Sequence, residues 1–418
     1  MRDGEAVHHP DPGTRVPSPT PRPFPPAGAS SIIAGMRRET VALYAGTIAA
    51  YSDMYLTQPV LPVISREFGV GPARAGLTVS FVVLGIAAAS TFYGPLSDAL
   101  GRRRVMAGAT GLLSLATLAC AFAPSFPALL GLRALQGVLV PGMTAVSVAY
   151  AGDRFRAADL PRVVAGIIAA SVVGGLVGRT VSGAITAHRG WRASFVAFAV
   201  LTALAAVTLA RGLSAAAAPE RGGWIAAYRG MLRHLRAPRL VGAYLVGCCL
   251  FFGWIGIFTY LPYHLSGPPW HLGTGAVSAV YLVYAAGVLA SPIAGRLAGR
   301  IPPPTLIAAG LVVEALGMAA TLVPGLPFVV TGLVVLVLGT FTAQAIAPAF
   351  VNMTAREAKG GASALYLTFY YVGGTLGAWL PGHAWRAAGW KGVVAVCGGA
   401  VLLALAADLG LCARGEGS

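Results

Sequence analysis

Five ionisable side chains stand inside long apolar stretches: Asp53, Arg133, Arg179, Glu314 and Asp408. Charge in such surroundings is expensive and serves ion or substrate binding, proton carriage or a bridge between helices. Asp53 lies in AAYSDMYLTQPVLP with Gln58, Pro59 and Pro62 just beyond it. Arg133 and Gln136 share one helical face in GLRALQGVL, and Arg179 follows three glycines in VVGGLVGRTVSG. A carboxylate whose water exposure and arginine neighbours change with conformation also changes its proton affinity. Asp53 beside Arg133 or Arg179 is therefore the candidate proton-carrying group, and a plain bridge to Arg179 is the alternative. Glu314 is a weaker candidate, and Asp408 weaker still, because it stands at the end of its stretch within reach of polar surroundings.

Covalent catalysis finds no support. The seven histidines are scattered, and no H-E-x-x-H, G-x-S-x-G or G-x-x-x-x-G-K-[ST] string occurs. Cys120, Cys248, Cys249, Cys397 and Cys412 lie in apolar stretches without metal-ligand spacing, so they read as buried hydrophobes. No metal and no cofactor is expected. Aromatic residues concentrate in the second half, among them Phe251, Trp254, Phe258, Tyr260, Tyr284 and Tyr370. Trp254, Tyr260 and Tyr370 carry polar handles that seek partners when buried. Charges from the first half facing these aromatics would make a cavity for a small amphipathic organic molecule.

The elements that position these groups follow from composition. Of 418 residues, 56% are hydrophobic and 11% charged, with a mean hydropathy of +0.73, against about 25% charged in soluble proteins. Such a chain cannot cover a water-facing surface and belongs in a bilayer. Apolar segments of about 20 residues, enough to span the hydrocarbon core, recur twelve times between residues 40 and 411. Their continuous apolar character favours helices over barrel strands.

Thirty basic residues against 14 acidic give a net charge of +16. They fall in short clusters between spans and not on one face, so they report topology rather than nucleic-acid binding. With the N-terminus inside, 22 lie on the cytoplasmic side and six outside, which places both termini in the cytoplasm. Residues 1–36, with eight prolines and no signal-peptide core, read as a disordered cytoplasmic tail. The longest internal break, 213–239, separates spans six and seven. Within it, WIAAYRGMLRHLRAPR reads as a basic amphipathic helix on the inner leaflet.

Gly174, Gly175, Gly178, Gly183, Gly190 and Trp191 recur as Gly373, Gly374, Gly377, Gly382, Gly389 and Trp390, each displaced by 199 residues. The halves are therefore pseudo-symmetric: six helices over 37–212 and six over 240–412, with a short tail at 413–418. The small-residue pairs Gly174/Gly178 and Gly373/Gly377 are expected to pack backbone to backbone, against helices of the opposite half.

After the second span stands GPLSDALGRRR, residues 94–104. Through Gly94, Leu96, Asp98, Gly101, Arg102 and Arg103 it resembles the G-x-L-a-D-r-x-G-r-r motif of the major facilitator superfamily. The resemblance implies a cytoplasmic gate in which Asp98, Arg102 and Arg103 pair across the two halves in the outward-open state. The second-half copy, GRLAGRIPPP, has Gly299 where the Asp would stand, which makes the gate one-sided. Arg133, Gln136 and Gly137 match the R-x-x-Q-G pattern that proton-linked members carry near the coupling site. VVGGLVGRTVSG is similar to the antiporter motif G-x-x-x-G-P-x-x-G-G, with Arg179 in place of the proline and Ser182 in place of a glycine.

The DMYL string at Asp53 resembles the Bcr-like drug:proton antiporters. QPVLPVISREFG and KGGASALYLTFYYVGG are closer to the YnfM-like, AraJ-related efflux transporters, and that resemblance covers essentially all twelve spans. It implies a monomeric, non-enzymatic secondary transporter of a bacterial inner membrane, exporting a small organic molecule in exchange for protons by alternating access. Proton-coupled import, and a receptor or scaffold built on a transporter fold, are the alternatives.

Overall fold

Two prolines end the first helix. In the computed structural model, which describes residues 27–214, 233–355, 357 and 359–413, α1 (Ala27–Tyr55) gives way to a 3-10 turn at Gln58–Val60 and a short helix at Leu61–Glu67. Pro59 and Pro62 have no N–H with which to continue the helical ladder. α1 begins at Ala27, inside the stretch expected as tail. The rest of that tail lies outside the described residues, as does the amphipathic segment up to Leu232. The segment's end forms a 3-10 turn at His234–Arg236.

The remaining helices follow, with short connections everywhere except between the sixth and the seventh. They are α2 (Pro72–Leu100), α3 (Arg102–Ala121), α4 (Phe126–Arg154), α5 (160–189), α6 (191–212), α7 (Pro238–Ser266), α8 (Thr274–Leu297), α9 (Pro303–Ala320), α10 (Leu326–Thr354), α11 (359–387) and α12 (390–412). Nine helical runs of the described residues are long and apolar enough to cross a membrane. One of them, Leu160–Gly212, bends at Gly190 into two spans. With α1 and α11, which carry the more polar stretches, the set reaches twelve. An even number of crossings brings the start of α1 and the end of α12 to one face, hereafter the terminal face.

Glycine decides three of the corners. Gly101, between α2 and α3, has φ +89°, and Gly190 and Gly389 have φ +79° and +58°, a region open to glycine and strained for other residues. The last two are the 199-residue repeat partners. After each of these two corners a buried tryptophan ties the new helix down. Trp191 donates from Nε1 to the Glu67 carboxylate, and Trp390 from Nε1 to Thr321 Oγ1 at 3.0 Å.

The two halves meet through α2 against α11 and α5 against α8. The paired glycines do approach backbone, but not that of the opposite half. A Cβ on Gly178 would stand 2.5 Å from the Ser52 carbonyl oxygen, and Gly174 faces Ile48, both on α1. Gly373 and Gly377 likewise face Cys248 and Phe252 on α7. These pairs fasten each fifth helix to the first helix of its own half. The fourth glycine of each repeat serves the cross-half contact: Gly183 lies against Ser278, and Gly382 against Ala73. Outward faces are apolar, with Leu115, Phe122, Leu204 and Leu289 all more than half exposed, as lipid contact requires.

Candidate functional site

Cross-half contacts concentrate away from the terminal face. Ser80 Oγ donates to the Thr375 carbonyl at 2.7 Å, Gln58 Nε2 donates to Thr259 Oγ1 at 3.2 Å, and Gly76 lies against the Ala378 carbonyl. One to three helical turns toward the terminal face, the halves part around a cavity with about 440 Å³ of free space, its mouth included. The first half contributes Tyr51, Tyr55, Gly175 and Arg179, and the second Phe251, Trp254, Tyr284, Gln344 and Tyr370.

Arg179 is the charged residue of this wall, and it is 1% exposed. Its Nε donates to Gln58 Oε1 at 2.7 Å and its Nη1 to the Gly175 carbonyl at 2.8 Å, while Nη2 has no partner among the described residues. The guanidinium carbon lies 3.7 Å from the Tyr55 ring centre and 4.3 Å from that of Tyr284, within cation–π range. Gly175 makes room: a Cβ there would stand 3.0 Å from Arg179 Nη1. On the other wall Phe251 stacks on Tyr370 at 3.9 Å and 11°, and Trp254 meets Tyr284 edge-on at 4.6 Å.

Arg133, on α4, faces away from this space. Nε donates to Thr78 O (3.0 Å), Nη1 to Asp53 O (2.9 Å) and Gln136 Oε1 (2.7 Å), and Nη2 to Met54 O (2.9 Å) and Thr57 Oγ1 (3.4 Å). All five donors of the guanidinium are thus occupied, and none is left for a solute. Asp53 O and Met54 O belong to the last turn of α1, whose carbonyls lack helical partners. Arg133 caps the end that the prolines create. Gln136 orients it and donates to Thr117 Oγ1 at 2.6 Å.

Asp53 lies in the same polar seam inside the first half, fully buried. Its Oδ2 accepts from Thr202 Oγ1 at 2.8 Å, and Oδ1 has no partner among the described residues. The expected pairing of its carboxylate with Arg133 or Arg179 is not formed, because Arg133 bonds the Asp53 backbone and Arg179 turns to Gln58. Tyr260 is also removed from the cavity. Its hydroxyl donates to the Ala378 carbonyl at 2.8 Å and presses on Gly76, within the plug where the halves close. Of the eight residues expected at the coupling and substrate site, the wall therefore contains Arg179, Trp254 and Tyr370. Gln58 touches it through Arg179, and Asp53, Arg133, Gln136 and Tyr260 support it from outside. Gln344 was missed. A lone amide in the middle of the tenth apolar span is the signal that points to it.

In the GPLSDALGRRR loop the ion pairs stay within the first half. Arg102 lies 3.5 Å from Asp98 and 2.5 Å from Asp153, and Arg103 Nε donates to the Ala210 carbonyl at 3.1 Å. Asp98 is 44% exposed, and Gly94 faces open space. Glu314 is buried where α9 meets Gly339 of α10, remote from the cavity wall.

Comparison with known proteins agrees with this architecture. Residues 43–280 match the model of the Major Facilitator Superfamily. The inner membrane transport protein YnfM of Escherichia coli is 31% identical over 372 residues, 88% of this chain and 89% of its own. The MFS-type transporter YybF of Bacillus subtilis is 29% identical over 371 residues, 88% of this chain and 92% of its own. Among solved structures, a bacterial homologue of the lysosomal transporter Spinster, inward-facing and occupied, superposes with a TM-score of 0.73 at 16% identity, covering 90% of this chain and 96% of its own. The chain belongs to the Major Facilitator Superfamily, a family of multi-pass membrane proteins that carry small molecules by secondary transport.

Proposed function

We propose that this transporter exports a small amphipathic organic molecule across the inner membrane in exchange for protons, as a monomer with both termini in the cytoplasm. The observation that carries the reading is the central cavity, lined by both halves and sealed by cross-half contacts on the side away from the termini. The arginine distribution supports a cytoplasmic terminal face, and in that orientation the cavity opens inward, ready to load solute from the cell. Rocking the halves would release the Gln58–Thr259 and Ser80–Thr375 contacts and expose the same wall to the outside. Asp98, Arg102 and Arg103, confined here to the first half, would then meet the second half at the cytoplasmic face.

The proton is assigned to Asp53. What supports the assignment is a buried carboxylate with one oxygen unpartnered, next to a helix break whose movement would change its access to water. Reconstituted vesicles under an imposed pH gradient test this. The coupling role predicts that Asp53→Asn loses gradient-driven accumulation yet keeps downhill exchange. Accumulation equal to wild type, with the same pH dependence, would assign the proton to another group or the driving force to another ion.

A further inference from the structure

We infer that the solute is an organic carboxylate, held by Arg179 in the cavity between the halves; this deepens the transport reading and rests on it. Arg179 Nη2 has no partner among the described residues although the residue is 1% exposed, and the cavity wall that contains it holds no carboxylate. No Asp or Glu of the described residues forms an ion pair with Arg179. Asp53, the acidic residue closest by expectation, is bonded to Thr202. A buried cation without an anion is costly, and a solute that brings the anion removes that cost on binding.

The geometry selects the kind of anion. Tyr55 and Tyr284 lie against the guanidinium, while Gln58 and Gly175 take Nε and Nη1. Nη2, enclosed in this conformation and without a partner among the described residues, is the donor left to meet the planar oxygens of a carboxylate once the rings beside it give way. One cation matches one negative charge, whereas a phosphate ester at neutral pH would bring nearly two. The facing wall, where Phe251 stacks on Tyr370, offers flat apolar surface to the rest of the solute. A compact carboxylate with an aromatic or similarly apolar body satisfies both walls. A cationic drug would be repelled by Arg179 and would find no carboxylate on the described wall.

Titration calorimetry on the purified full chain tests the inference with two matched sets of probes: benzoate and indole-3-acetate, against benzamide and indole-3-acetamide. A charge-assisted hydrogen bond in a buried site predicts that each acid binds roughly tenfold or more tighter than its amide. Arg179→Gln should remove the difference, and Arg179→Lys should keep part of it. The acid–amide comparison on wild type stands even if a variant fails to fold. Amides binding as tightly as acids, or no acid binding at about 10 mM, would overturn the assignment. In vesicles, bound carboxylates that show no flux would sink the transport reading and leave the anion site standing.

Discussion

Replacing Arg133 tests whether the buried charge of the fourth helix serves the fold or the solute. In the Arg133→Leu variant, the carbonyls of Asp53, Met54 and Thr78 and the side-chain oxygen of Gln136 all lose a donor. A buried acceptor left unpaired costs about 1–3 kcal/mol. Partial relaxation of the α1 end and a freely turning Gln136 reduce the sum, so the expected loss is about 3–5 kcal/mol, typical of breaking a buried charged network. At roughly 2 °C per kcal/mol for a chain larger than 150–250 residues, the melting temperature should fall by roughly 6–10 °C. Arg133→Lys has three donors instead of five and should fall in between. The assay is the apparent melting temperature in detergent at one fixed scan rate, since membrane proteins of this size unfold irreversibly, paired with carboxylate binding per folded molecule. A leucine variant that melts within about 1 °C of wild type yet loses binding would refute the capping role and return Arg133 to the solute.

Other outcomes follow from the same geometry. Asp98→Asn should leave the melting temperature unchanged, because its exposed pair with Arg102 is worth about 0–1 kcal/mol, while transport falls and a single cysteine at Ser171 on the cavity wall labels faster from the terminal face. Unchanged labelling with full transport would remove Asp98 from the gate. Gly183→Val places a side chain against Ser278 and should hold the sealed end open; a cysteine at Thr274 in a cysteine-free background would then label faster from the face away from the termini, and equal labelling would show that the seal closes regardless. In the α1–α2 connection, burial raises the Glu67 carboxyl, but hydrogen bonds from Trp191 and Arg192 and the Arg192 charge outweigh it and hold it below the ordinary range. A lowered pKa contributes stability that is complete above about pH 4.3 and is lost as the pH falls further. Glu67→Gln should flatten that acid slope, and an unchanged slope would assign it elsewhere.

Much of this architecture is legible in the sequence because lipid imposes a length and a polarity on every span. The 199-residue offset has a backbone meaning as well: Gly190 and Gly389 both turn their corner at positive φ, and Trp191 and Trp390 each anchor the helix that follows. What the linear pattern cannot supply is the partner of each small or charged face. Gly174 and Gly178 announce a close helix contact, but the choice of α1 over the other half depends on helix order within the bundle. An arginine in an apolar span announces a function, yet Arg133 and Arg179 diverge completely. The difference lies in the end of α1, where Pro59 and Pro62 free backbone carbonyls that absorb Arg133, while Gln58 and Gly175 engage Arg179 on one edge alone. A helix broken beside one arginine converts it into a cap. The other, standing where a proline was expected and facing the aromatic wall of the opposite half, keeps a donor for whatever enters the cavity.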